Sequence, residues 1–175
     1  MSELAPPFDA TRDHWRGGEG VVVLEYGDYE CPYSRQAFRN IEQLQADDPS
    51  LRFVFRHFPL TDIHPHALAA SGFAEAAAAQ GLFWAMHELL FQRQKTLGAD
   101  DLVAYARQVG LDDARLRDDL ERDELWQRVR EDGSSAVAVG ARGTPTLFLN
   151  GRLHRGGYDV GTLRATFDSL EATAR

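Results

Sequence analysis

Asp28-Tyr29-Glu30-Cys31-Pro32-Tyr33-Ser34 is the stretch that decides how this chain is read. Before it runs Val21-Val22-Val23-Leu24, a short, continuous, β-branched segment of the kind buried on both faces of a sheet. After it, Ala37, Phe38, Ile41 and Leu44 recur at helical spacing as far as about Asp47. Cys31 therefore stands where a buried strand gives way to a helix. Pro32 suits an early helical position, where its missing N–H costs nothing. The unpaired N–H groups and macrodipole of a helix start favour an anion, which here is the thiolate. A free cysteine in an arbitrary place is most often an inert apolar residue, but this placement points to a reactive one.

Outward from that turn, residues 51–58 are aromatic-rich, alternate in part, and end at Pro59, which reads as a second strand. Strand, helix and strand together make a βαβ unit. From residue 67 to about 141 the signals are helical. Phe83, Met86, His87 and Leu90 share one face, with His87 read as a satisfied core residue. Leu102, Tyr105, Ala106 and Val109 form a stripe opened by Asp100 or Asp101 and closed by Gly110. A break falls near residues 122–123. Strand character returns at residues 144–149, followed by the hairpin signal Asn150-Gly151 and a partner strand Arg152-Leu153-His154. Leu163, Phe167 and Leu170 then mark a last helix. The first 17 residues read as a loosely held arm with a short extended piece near His14. The order is β-α-β, a helical block, then β-β-α.

Cys31-Pro32-Tyr33-Ser34 after Tyr26-Gly27-Asp28-Tyr29 resembles the active-site motif of the thioredoxin superfamily, and specifically its DsbA-like thiol:disulfide oxidoreductases. Gly143-Thr144-Pro145-Thr146 resembles that family's cis-proline loop, which lies beside the active-site cysteine. Phe55-Arg56-His57-Phe58-Pro59-Leu60, His64-Pro65-His66-Ala67 and the run from Phe83-Trp84 to Met86-His87 resemble the bacterial DsbA-like subgroup. The resemblance covers roughly residues 13–172. It implies an α/β thioredoxin fold with a mixed central sheet, built from residues 1–60 and 142–175, and interrupted by a helical insertion at 61–141 in the same domain. It also implies a catalytic Cys31, a substrate-binding surface around Pro32, Tyr33, Thr144 and Pro145, and a buried acid, Glu25, that helps move protons to and from the thiol. A Glu25 turned to solvent from the strand end is the competing reading. Asp28 and Glu30 are read as surface loop charges.

The departure from the family is Ser34, which stands where the C-x-x-C motif has its resolving cysteine. A hydroxyl cannot replace a thiol as nucleophile against sulfur, so the expected cycle is monothiol, with an external thiol such as glutathione resolving the mixed disulfide. A native monothiol site and an engineered Cys→Ser exchange both account for Ser34. Two other functions compete. One is a glutathione-dependent transferase or isomerase of the same superfamily, against which retention of Cys31 counts. The other is a non-catalytic module that keeps a peptide groove without turnover.

Composition bounds the partners. The 175 residues, 43% hydrophobic and 26% charged, suit one ordinary globular domain with a sizeable core. A single cysteine excludes an intrachain disulfide. The net charge is −8, and the 18 arginines and one lysine are interspersed with acids, so a nucleic-acid partner is not expected. No run of 18 apolar residues appears and no apolar leader precedes Trp15, so the expectation is a cytoplasmic protein with no membrane partner. The expected partners are a thiol- or disulfide-bearing protein, a peptide, or glutathione as co-substrate, with no other cofactor. Six histidines raise a metal reading, but His57, His64 and His66 with one cysteine and no H-E-x-x-H form no recognised ligand set, so no metal is expected.

Overall fold

The computed structural model describes residues 3–174. In chain order it gives β1 (His14–Gly17), β2 (Val22–Gly27), α1 (Pro32–Asp47) and β3 (Arg52–His57). Helices α2 (Ala67–Ala79), α3 (Phe83–Gln92), α4 (Ala99–Val109), α5 (Asp113–Glu121) and α6 (Asp123–Ala138) follow. Strands β4 (Thr146–Leu149) and β5 (Arg152–Leu153) and helix α7 (Val160–Ala174) close the chain. The sheet order is β1-β3-β2-β4-β5. Strands β2 and β3 are parallel, joined across α1, while β4 runs antiparallel to β2 and β1 antiparallel to β3. This is the thioredoxin fold, with a helical block between its two halves.

The strand alternation explains the layering. Val23, Phe53, Phe55, Leu147 and Leu149 pack into one core with Phe38 and Ile41 of α1, the helices α2 to α4, and Leu163 and Phe167 of α7. Leu24, Tyr26, Val54 and Phe148 face the other way, onto Ala136 of α6 and onto Leu4. Helix α6 therefore covers the second face of the sheet, which is why the central strands read as continuous apolar runs. Arg122 ends α5 and starts α6 in extended geometry, the break expected near residues 122–123. Trp126 of α6 packs over Gly72 of α2, where a Cβ would stand 2.2 Å from the indole ring. Only glycine permits that approach.

The N-terminal arm is not loosely held. Its strand β1 pairs with β3 at the sheet edge, and Leu4 is buried. Arg56, 1% exposed, donates to both oxygens of Asp13 at 2.8 Å and to the carbonyls of Pro6 and Pro7 at 2.8 and 3.0 Å. A polar, proline-containing opening stretch gave no sign of this, because its anchor is an arginine on β3. Gln94, His57 and the loop after β3 are likewise fixed by contacts from distant parts of the chain, described next.

Candidate active site

Cys31 is the N-cap of α1, with Pro32 in the first turn behind it and no side chain capping the helix. Its Sγ lies 3.3 Å from the carbonyl oxygen of Thr144, to which the thiol donates. The Thr144–Pro145 peptide bond is cis. Cys31 and the Thr144-Pro145 loop, 113 residues apart, are thus brought together. Pro32 and Tyr33 are exposed at the rim, Tyr33 at 63%. Ser34 is fully buried one turn into the helix, where its hydroxyl accepts from the Asp28 N–H at 3.2 Å.

Glu25 points inward from the middle strand β2 and has no exposed surface. Neither carboxyl oxygen makes a well-formed hydrogen bond. Burial pushes its pKa up to about 8, only partly offset by the nearby Ser34 hydroxyl. This acid is therefore protonated through much of the neutral range. The solvent-facing alternative for Glu25 is excluded.

The turn that presents the thiol is tied down by residues whose roles were not legible in the sequence. Asp28, read as a surface charge, is buried. Its carboxylate accepts from the N–H groups of Glu30 at 2.7 Å and Leu60 at 2.8 Å, and pairs with His64 Nδ1 at 2.8 Å. Glu30 reaches the next loop at the surface, accepting from the His66 N–H at 2.7 Å. Both carboxylates staple the turn to the segment after β3, Asp28 from a buried position and Glu30 from the partly exposed surface where the sequence placed it. Gln94, buried just beyond α3, donates from Nε2 to the carbonyls of Tyr29 and Cys31, both at 2.8 Å. No spacing rule could single it out, since its partners lie more than 60 residues away. Below the turn, the Tyr29 hydroxyl and Nδ1 of His87 share a hydrogen bond at 2.8 Å, in an aromatic nest with Phe55 and Phe91. Burial drives the His87 pKa far down, so the imidazole is neutral. His87 is the core residue its position implied, but only its Nδ1 is satisfied: the buried Nε2 has no hydrogen-bond partner among the described residues.

A second polar cluster sits at the end of the neighbouring strand, where His57 is the register partner of Gly27. Glu75 of α2 reaches both His14 Nε2 at 2.6 Å and His57 Nε2 at 2.7 Å through one carboxylate oxygen. His57 was seen in the sequence beside His64 and His66, but the fold pairs it with His14 and Glu75 instead.

Residues 11–169 match the thioredoxin family. Among solved structures, the chain is similar to a thioredoxin-like oxidoreductase from Silicibacter pomeroyi, at 30% identity and a TM-score of 0.84, covering 94% of each chain. It is also similar in fold to the thiol-disulfide exchange protein α-DsbA2 from Wolbachia pipientis, at 22% identity and a TM-score of 0.81, covering 93% of this chain and 89% of that one. Among curated proteins it is 45% identical to the Na(+)/H(+) antiporter NhaA 3 of Salinispora tropica, over 99% of this chain and 27% of that protein. The chain spans about a quarter of the length of the curated relatives it matches. No helix among the described residues is long and apolar enough to cross a membrane. With the βαβ and ββα halves, the helical block between them, and a cysteine at the start of α1 against a Thr-Pro loop, the chain belongs to the thioredoxin family and carries the DsbA-like form of its fold.

Proposed function

We propose that this chain is a monothiol thiol:disulfide oxidoreductase working through Cys31. The observation that carries the reading is the sulfur at the start of α1, against the Thr144 carbonyl, with a buried serine in the resolving position. The thiolate of Cys31 attacks one sulfur of a substrate disulfide. A Cys31–substrate disulfide forms, and the other substrate sulfur leaves as a thiolate that takes up a proton. Ser34 cannot displace the bound sulfur. An external thiol, glutathione being the candidate, then attacks the substrate-side sulfur as thiolate and releases Cys31 as thiolate. Glu25, protonated near neutrality, holds a proton below the reacting turn. Extended peptide substrates would align along the Thr144-Pro145 backbone, with Tyr33 and Pro32 at the rim. A reducing, glutathione-containing compartment such as the cytoplasm suits the cycle.

The test is to expose the chain to oxidised glutathione and follow Cys31 by mass spectrometry. One glutathione adduct on Cys31 is expected, removed by excess reduced glutathione. Ser34→Cys should form an intrachain disulfide with Cys31 and gain dithiol oxidase activity, since the two positions share the first turn of α1. A folded chain whose Cys31 takes no adduct would overturn the reading.

A further inference from the structure

We infer that His14, His57 and Glu75 form a binding site for one divalent transition-metal ion, with Zn2+ as the reference ion. The two imidazole Nε2 atoms and a carboxylate oxygen of Glu75 all lie within 4.8 Å of one another. In a zinc site each such atom would stand about 2.0–2.2 Å from the ion, which places neighbouring ligand atoms roughly 3–3.5 Å apart. The two hydrogen-bonded His–Glu75 distances are 2.6 and 2.7 Å, so those edges have to open by less than about 1 Å, while the two imidazole nitrogens already lie within 4.8 Å of each other.

Donor chemistry selects the class of ion. Two neutral imidazoles and one carboxylate suit Zn2+ and its divalent transition-metal neighbours. Ca2+ and Mg2+ ask for oxygen ligands, and Cu+ for soft sulfur. The three side chains come from regular elements that fix them: β1, the end of β3, and α2. The His14 ring is stacked on Phe83 at 3.7 Å between centroids, and the His57 backbone N–H is held by the Asp132 carboxylate at 3.0 Å. Three protein ligands leave a coordination position for water.

Glu75 also lines a cavity of about 260 Å³, with Asp119 and Glu124 in its wall. Asp119 is 4% exposed, and its Oδ2 has no hydrogen-bond partner. Arg122 and Arg128 also line it, Arg122 standing 3.5 Å from Asp119 Oδ1, so the wall is mixed in charge, and the volume admits water beside Glu75. To coordinate, each ring passes its Nε2 proton to Nδ1 or to solvent. The buried Nδ1 of His57 has no acceptor to receive that N–H, a missing support that costs about 10–100-fold in affinity. The site should therefore bind more weakly than a fully supported structural zinc site.

The experiment uses the tag-free chain carrying Cys31→Ala, so that the thiol cannot contribute. Zn2+ is titrated by calorimetry, and Co2+ by visible absorbance with Zn2+ as competitor. One ion per chain is expected, with a Co2+ spectrum of low coordination number that Zn2+ abolishes. In His14→Ala, checked for folding by circular dichroism, affinity should fall at least about 10-fold. His66→Ala should leave it unchanged. Independently of any substitution in the cluster, Zn2+ should perturb the ring signals of His14 and His57 in NMR spectra before those of His64, His66 or His154. No binding to the folded chain, or perturbation of the other histidines first, overturns the inference. So does undiminished binding in folded His14→Ala.

Discussion

Two glutamates are shut away in this protein, on neighbouring parts of the same fold, and they end in opposite charge states. Glu25 on β2 makes no well-formed hydrogen bond through either oxygen, and burial lifts its pKa to about 8 against only a weak offset from the Ser34 hydroxyl. Glu75 on α2 is also removed from water, which opposes its charge. Hydrogen bonds from His14 and His57 outweigh that penalty and hold it well below the usual carboxylate range. Burial alone therefore does not set the charge of a carboxyl; the donors that reach it decide. Below the reacting thiol the fold keeps a proton, and at the end of β3 it keeps an anion between two imidazoles.

The largest expected effect comes from removing that anion. Glu75→Leu leaves the two imidazole Nε2–H groups without their acceptor in a nearly closed site. It should lower stability at pH 7 by about 3–5 kcal/mol, measured by urea unfolding. A loss below about 1 kcal/mol would show that the pair is merely a surface contact and would end the contrast. The native bridge should also fail on the acid side. A depressed folded pKa contributes stability above the ordinary value of 4.5, lost as pH falls below it.

Glu25 should show the opposite pH dependence. Its folded pKa of about 8 lies above the ordinary 4.5, so between those values the native state holds a proton that the unfolded chain has released. Stability should fall as pH rises through this window and level off above it. Glu25→Gln should flatten that slope and raise stability at pH 7 by up to about 3 kcal/mol. If Glu25 holds the proton for thiol exchange, the same variant should slow exchange at Cys31 by roughly 100-fold. Unfolding curves at pH 5, 7 and 9, with rates of glutathione adduct formation, measure both. An unchanged slope would place Glu25 in contact with a donor that the structure does not show.

The two regions also differ in how far the amino-acid order reveals them. The thiol turn is local: Glu25, Cys31, Pro32 and Ser34 fall within ten residues, and strand and helix periodicities on either side place them. The Thr144-Pro145 loop was recognisable only by resemblance, yet the sheet brings it to the sulfur. The His14, His57 and Glu75 cluster is drawn from β1, β3 and α2, which have no common spacing rule. Asp28 was misread for a related reason. A charged residue in a turn looks solvent-facing until the N–H groups of Glu30 and Leu60, one of them from beyond β3, are seen to use it up. Arg56 and Asp13 repeat the lesson, turning an arm that reads as loose into a buried ion pair.

Gln94 allows the independence of the two regions to be measured, at the smallest expected cost. Its Nε2 donates to the carbonyls of Tyr29 and Cys31, one on each side of Glu30, and so fixes the curvature of the turn. Gln94→Leu keeps most of the volume and deletes both donors. The Tyr29 carbonyl loses the Gln94 donor in a closed site, where water can reach it only if the turn opens, while the Cys31 carbonyl keeps the Arg35 N–H. The expected loss is about 2 kcal/mol in global stability, since each unmade bond costs on the order of 1 kcal/mol. The local consequence is more telling. Amide hydrogen exchange should accelerate at Cys31, whose N–H is bonded to the Asp28 carbonyl, and at Arg35, bonded to the Cys31 carbonyl. It should be unchanged at His57, whose N–H rests on Asp132. Opening confined to the first pair would mean that the thiol turn and the histidine–glutamate bridge are separate units on one sheet. Equal acceleration at His57 would mean that the C-terminal ends of β2 and β3 open together. The charge states of Glu25 and Glu75 would then be two aspects of one cooperative network.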